Sequence, residues 1–149
     1  MWPDPEIESL VRDRFTPVRL HVKEQADAYT RASERFGASW TPTTLILDPA
    51  GVERHRIEGF LPRNDFLAQL HLGLGHVAFH EKRYDEAARA FDGVVSRFPE
   101  SDAAPEAQYW AGVARYKGSG DAKDLGAVAS AFQKRYGDSV WAKKASVWL

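Results

Sequence analysis

The sequence contains no cysteine, and this absence excludes several kinds of chemistry from its 149 residues. Without thiols the chain cannot form a disulfide, bind a metal through thiolates or carry a dithiol redox centre. It also lacks an apolar run near the ~20 residues that a membrane-spanning helix needs. The first four residues lack the basic and apolar regions of a signal peptide, which predicts no export and a cytoplasmic location.

An excess of charge of one sign is also missing. Lysine and arginine number 20, against 21 aspartate and glutamate residues. A balanced chain offers no basic field to nucleic acid or anionic lipid, so we expect neither a nucleic-acid partner nor a membrane partner. The chain is 44% apolar and 28% charged, which is typical of a soluble protein. Its length suits one domain, or two small modules that share a core.

The first quarter of the chain predicts a helix, a strand and a second helix. Asp4 can cap a helix whose first turn holds Pro5 and which ends before Pro17. Residues 18–22 alternate apolar and polar side chains, which predicts a strand with one buried face. Residues 24–36 predict a helix. The apolar stripe that would be its inner face comprises Ala28, Tyr29, Ala32 and Phe36.

A proline corner and a hairpin follow. Proline cannot donate to a strand ladder, so Pro42 marks the start of a strand. Residues 43–48 predict a strand that is buried on both faces, because its centre is entirely apolar. A turn leads to residues 52–60, whose many charges indicate an edge strand. A helix then begins at Pro62 and extends to about residue 81.

The corner Trp40, Thr41, Pro42, Thr43 resembles the cis-proline loop of the thioredoxin superfamily. The order of elements over residues 4–80 resembles the carboxyl-terminal two thirds of that fold. In the family, two strands and the helix with the CxxC motif come first, and one of those strands lies between the strands assigned here to 18–22 and 43–48. The resemblance implies an α/β fold that is incomplete at its amino terminus. Its unpaired strand edges could join copies of the chain into a homo-oligomer.

From about residue 68 the periodicity is helical and it repeats. The segment 97–101 is echoed by the segment 135–139, an offset of 38 residues. Such self-similarity indicates a helical repeat array. Residues 68–101 resemble a tetratricopeptide repeat through Leu74, Gly75, Tyr84, Ala87, Phe91 and Pro99. A second unit over 105–136 keeps Tyr109, Gly112, Tyr116 and Phe132, and a last helix over 139–149 would cap the array.

The predicted fold class is therefore α/β (thioredoxin-like, amino-terminally incomplete) followed by all-α tetratricopeptide-like helical hairpins. We expect a thioredoxin-like part over residues 1–67 and the helical repeats with their capping helix over 68–149. The helix from about residue 62 belongs to both parts, and no linker separates them.

The proline corner is the first candidate binding site. By the thioredoxin resemblance, the backbone of Thr41 pairs with an extended peptide, and Trp40 and Pro42 complete the site. The alternative is that this corner only builds the fold. Trp40 is either a stacking platform for a ligand or a core aromatic. We expect it to be partly buried.

The helical repeats supply the second candidate site. By resemblance to tetratricopeptide arrays, a concave, peptide-binding surface would be lined by Gln69, Leu72, His76, Phe79, His80, Glu106, Tyr109, Val113, Tyr116 and Lys117. The alternative is that so short an array only braces the sheet. His76 and His80 stand at the spacing of two metal ligands on a helix, but no third ligand is evident. We therefore expect no metal and no cofactor.

Two functions remain open from the sequence. The chain has no nucleophile elbow, no phosphate-binding loop and no supported carboxylate pair, so no catalytic residue is predicted. One function is that of a protein derived from a thiol-disulfide oxidoreductase and redox-inactive as given, whose redox motif lies upstream of these residues or has been lost. The other is a scaffold that binds a protein or peptide partner through the proline corner and the repeat surface.

Overall fold

The computed structural model describes residues 4–149, so the first three residues of the range 1–67 lie outside it. The predicted fold class is confirmed, because a small sheet near the amino terminus is followed by helical hairpins. The elements are α1 (Pro5–Arg14), α2 (Ala26–Phe36), β1 (Thr43–Leu47), β2 (Glu53–Glu58), α3 (Arg63–His80), α4 (Tyr84–Arg97), α5 (Ala103–Ser119), α6 (Lys123–Lys134) and α7 (Val140–Ala145), with a final 3-10 turn at Ser146–Trp148.

Helix α1 begins at the predicted cap. One carboxylate oxygen of Asp4 accepts the backbone N–H groups of Glu6 and Ile7 at 3.0 and 3.1 Å. Arg63 at the start of α3 pairs with Asp4 and with Glu6, and these bonds fix α1 to α3. The apolar side of α1 packs on the main core through Ile7 and Phe15.

The strand predicted over residues 18–22 is wrong. Residues 15–21 adopt no regular secondary structure, and the side chain of Val18 is 81% exposed. The alternating pattern is typical of a strand, but a strand also needs a neighbour to accept its backbone hydrogen bonds. Within residues 4–149 the sheet has two strands, β1 and β2, and neither reaches this segment.

The hairpin is present, but β1 is not buried on both faces as predicted. The two strands pair antiparallel, with Thr44 opposite Ile57 and Ile46 opposite His55. Ile46 is the only buried residue of β1, and Leu47 is exposed. The reason is that α3 covers one face of the strand, whereas the other side lies open.

Helix α3 is the central element of the main core. It contacts β1 and β2 on one side and α4 and α5 on the other. Gly73 lies so close to the side chain of Ile46 that a Cβ atom there would be 2.2 Å from its Cδ1 atom. The helix is continuous through residue 68, so the expected division into 1–67 and 68–149 falls inside it.

The last helices form a second, smaller cluster. Val128, Phe132 and Ala145 are buried in it, and Trp148 stacks on Tyr109. The two similar segments of the sequence make the same turn, since Ser101 donates to Phe98 O and Ser139 donates to Tyr136 O, each at 2.7 Å. Across residues 4–149, no helix has both the length and the apolar character needed to cross a membrane.

Candidate functional site

The proline corner is an exposed loop between α2 and β1. Trp40 is 67% exposed, so the expectation that it would be partly buried is wrong. Thr41 and Pro42 are exposed as well, and the peptide bond between them is cis. The hydroxyl of Thr43 donates to Trp40 O at 2.6 Å and closes the loop. The corner therefore presents an exposed indole ring and, at Thr41, a residue whose backbone pairs with no other backbone group of the described residues.

The outer edge of β1 continues this stretch of backbone. Gly59 N–H donates to Pro42 O at 2.8 Å, which fixes which residues of β1 face β2. In an antiparallel ladder, hydrogen-bonded and non-hydrogen-bonded residue pairs alternate. The backbone N–H and C=O groups of Thr44 and Ile46 therefore point to β2, and those of Thr43, Leu45 and Leu47 point away from it. In the described part of the chain, no backbone group pairs with this outer edge.

A cleft of about 1370 Å³ opens along the free edge of β1. Its apolar lining comes from α3, from the end of α1 and from the inner stripe of α2. Residues 16–22 form a further part of its wall. No residue of α2 is buried, and three residues of the stripe that we expect to pack inward, Tyr29, Ala32 and Phe36, instead line this cleft.

The predicted repeat surface is only partly accessible. Leu72 is fully buried and does not reach the surface, whereas His76 is 8% exposed and lines a pocket on this surface. Gln69, Phe79, Glu106, Tyr109, Val113 and Tyr116 are half-buried, whereas His80 and Lys117 are exposed. The face is covered in part by β2 at one end and by the carboxyl-terminal turn on Tyr109 at the other.

A polar pocket of about 590 Å³ remains at the junction of β2, α3, α5 and α7. His55 of β2 stacks on His76 of α3, with ring centroids 5.8 Å apart. His76 Nε2 donates to Glu106 at 3.1 Å, and His55 Nε2 donates to Gln69 at 2.6 Å. The indole of Trp110 meets His76 edge to face at 5.5 Å. The pocket thus combines imidazole, carboxylate and indole groups.

Burial shifts the pKa values of two histidines that line this pocket. Burial lowers the pKa of His55, and nearby His76 acts in the same direction, while the hydrogen bond to Gln69 opposes the shift. Burial also lowers the pKa of His80, with Arg54 as a further cause. Among residues 4–149, no group of three or more metal-ligating side chains is placed to hold a metal ion.

Sequence reasoning missed six residues that line this pocket: Glu53, Arg54, His55, Arg56, Trp110 and Trp141. His55 had a usable signal, because it lies two residues from Ile57 and therefore on the buried face of β2. The edge-strand interpretation, based on the charges of β2, counted it among the solvated residues. Trp110 and Trp141 gave no comparable signal.

Comparison with known proteins supports the amino-terminal resemblance. A family model described as a thioredoxin-like domain matches residues 1–73. This range ends within α3 and includes the proline corner and the hairpin. No curated protein and no solved structure is significantly similar to the chain.

Proposed function

We propose that this protein, whose amino-terminal half is thioredoxin-like, binds extended polypeptide chains at the corner formed by Trp40, Thr41 and Pro42. The observation that carries the proposal is that Thr41 is an exposed residue with no backbone partner in the described residues, next to an indole that is 67% exposed. An extended peptide can pair with this backbone by strand addition, and the indole can hold one of its side chains.

The absence of cysteine limits the chemistry that can accompany binding. Thiol-disulfide exchange needs a thiolate as nucleophile, and none of these 149 residues supplies one. We therefore propose that the chain itself is redox-inactive. In an oxidoreductase of which it formed part, the thiols would belong to another segment or polypeptide, and this chain would hold the substrate.

Peptide binding to the corner can be tested with an array of immobilised peptides of fifteen residues. We expect Trp40→Ala to lower the affinity for the bound peptides by about tenfold or more, as is typical for loss of an aromatic anchor. Thr41→Pro, which removes a backbone donor, should also weaken them. Val147→Ser removes another exposed apolar side chain, far along the sequence, and serves as control. Binding that is unchanged in both corner variants would refute the proposal.

The redox-inactive state has its own test. With dithiothreitol as reductant, the chain should not accelerate reduction of a disulfide-linked fluorogenic peptide above the rate without protein. Acceleration that depends on the protein concentration would contradict the assignment.

A second candidate function is peptide binding in the pocket at Glu106 and Trp110. The observation that favours it is an open pocket of about 590 Å³ on the predicted repeat surface, with a half-buried carboxylate in its wall. On the same peptide array, Glu106→Gln should weaken the binding of peptides that carry lysine or arginine, because the carboxylate charge is lost. Glu100→Gln, at an exposed position, is the matched control. Equal binding by both variants would exclude this site.

A further inference from the structure

We propose that the pocket at Glu106 and Trp110 holds one guanidinium group, the head of an arginine side chain or of a free arginine-like molecule. The inference rests on the second candidate function, since it names the chemical group that this pocket takes. The volume of about 590 Å³ lies within the range of small-molecule sites, about 300–1,000 Å³. The pocket therefore has room for the planar head and for the stem that carries it.

The charge left uncompensated in this pocket is negative. The two arginines in its wall already hold carboxylates of the hairpin: Arg54 pairs with Asp48 at 2.9 Å, and Arg56 pairs with Glu53 at 2.7 Å. Within residues 4–149, Glu106 has His76 as its one ion-pair partner, and an imidazole is charged only when it is protonated. An anion would have to break an ion pair to reach a cation here, whereas a cation finds the carboxylate of Glu106 available.

The hydrogen-bonding atoms around Glu106 are acceptors. Its Oε1 accepts from His76, and its Oε2 accepts no hydrogen bond from a described residue. His55 and His76 each donate through Nε2, so Nδ1 of the neutral ring carries a lone pair. Neither Nδ1 atom has a hydrogen-bond partner in the described part of the chain. These three acceptor atoms favour a ligand that donates several hydrogen bonds.

A guanidinium group fits this wall better than an ammonium group does. It carries five N–H donors in one plane, compared with three on an ammonium, and it is more weakly hydrated and lies well against aromatic rings. Trp110 and Trp141 both line the pocket. Trp141 already attracts a cation, because Nζ of Lys144 lies 4.2 Å from its ring centroid. A quaternary ammonium would donate nothing to the acceptors.

Calorimetric titration with arginine, lysine and citrulline tests the choice of group. Citrulline has the shape of arginine but no charge. Each compound is used as the free amino acid and in a capped form, the Nα-acetyl N-methylamide, which represents a side chain within a polypeptide. We expect arginine to bind at least about tenfold more tightly than lysine and citrulline. No preference for arginine in either the free or the capped series would overturn the proposal.

The indole N–H signals in nuclear magnetic resonance spectra locate the bound compound. Arginine should shift the signals of Trp110 and Trp141 and leave that of Trp40 unchanged. Glu106→Gln should lower the affinity by at least about tenfold, whereas Glu100→Gln, the matched control at an exposed position, should not. The same spectra show that each variant is folded. A shift confined to Trp40, or undiminished binding by folded Glu106→Gln, would overturn the proposal.

Two comparisons separate this inference from the peptide-binding function. If arginine is preferred only in the free series, the pocket takes a small molecule, so the guanidinium proposal stands and peptide binding at Glu106 fails. If both series show the preference, the pocket accepts the side chain of a polypeptide. If Glu106→Gln weakens arginine and lysine peptides equally on the array, and neither series prefers arginine, peptide binding stands and the guanidinium proposal fails.

Discussion

Gly112 and Gly93 lie inside helices α5 and α4 but have opposite surroundings. A Cβ atom at Gly112 would lie 1.6 Å from Cγ2 of Val128 on α6, whereas nothing lies within 4 Å at Gly93. Glycine at position 112 thus permits the close packing of α5 on α6.

The two glycines give a matched prediction. Gly112→Ala should lower the free energy of unfolding by about 1–3 kcal/mol, because the methyl group overpacks a tight contact. Gly93→Ala should raise it by up to about 1 kcal/mol, since alanine is the better helix former. Urea denaturation of both variants measures the two changes. A gain in stability for Gly112→Ala would show that α6 can move away from α5 at no cost.

The stacked histidines predict a dependence of stability on pH. The folded-state pKa of His55 lies below the ordinary value of 6.5, mainly because of burial. As the pH falls, the unfolded chain therefore binds the proton first. The contribution of neutral His55 to the free energy of unfolding is therefore complete above pH 6.5. It declines as the pH falls from this value through the lower pKa of the folded state.

Urea denaturation at pH 7.5 and at pH 5.5 tests this dependence. The unmodified protein should be less stable at pH 5.5, and the loss should be smaller in His55→Gln, which keeps a donor for Gln69 but does not titrate. His80→Gln, at an exposed position, should change the dependence less. An identical loss in His55→Gln and in the unmodified protein would contradict the burial argument.

At the scale of single elements, helix α2 is held differently from the others. None of its residues is buried. Arg56 of β2 donates to the backbone oxygens of Phe36 and Gly37 at its carboxyl end, where helix carbonyls lack partners within the helix. A guanidinium group there also interacts favourably with the helix dipole. This residue is therefore a main attachment of α2 to the sheet.

We expect Arg56→Met to release α2 without unfolding the rest. Hydrogen exchange of the α2 amides should accelerate by about tenfold, while the amides of α3 and α4 keep their protection. Arg115→Met is the control, because Arg115 pairs with Asp92 on the far helices. If α2 exchanged at the same rate in both variants, other contacts would hold it.

The elements also show which parts of the fold were open to sequence reasoning. The hairpin could be predicted because Pro42 and the turn at Asp48–Gly51 are local signals. The alternating pattern of residues 18–22 is visible in the sequence, and it predicts a strand. Whether a neighbouring strand lies beside these residues depends on the rest of the fold, which the pattern does not show. For the same reason the sequence places Leu72 on an open surface, because its position on the helix does not show how α4 and α5 pack over α3.

At the scale of the whole molecule, two clusters share one helical array. The main core joins α1, the hairpin and α3 to α5, and the smaller cluster joins α5 to α6 and α7. The smaller cluster contacts the main core mainly through α5, so we expect it to open at a lower free energy than the helices at the centre of the main core.

This arrangement predicts local unfolding of α6 and α7. Phe132 is buried in the smaller cluster at 3% exposure, and Phe91 is fully buried in the main core. Replacement of either by alanine removes about 3–5 kcal/mol of packing. In native-state hydrogen exchange, Phe132→Ala should lower the protection of α6 and α7 and leave α3 nearly unchanged, whereas Phe91→Ala should lower both. Equal loss of protection in α3 for the two variants would instead show that the sheet, the core and the terminal helices unfold as a single unit.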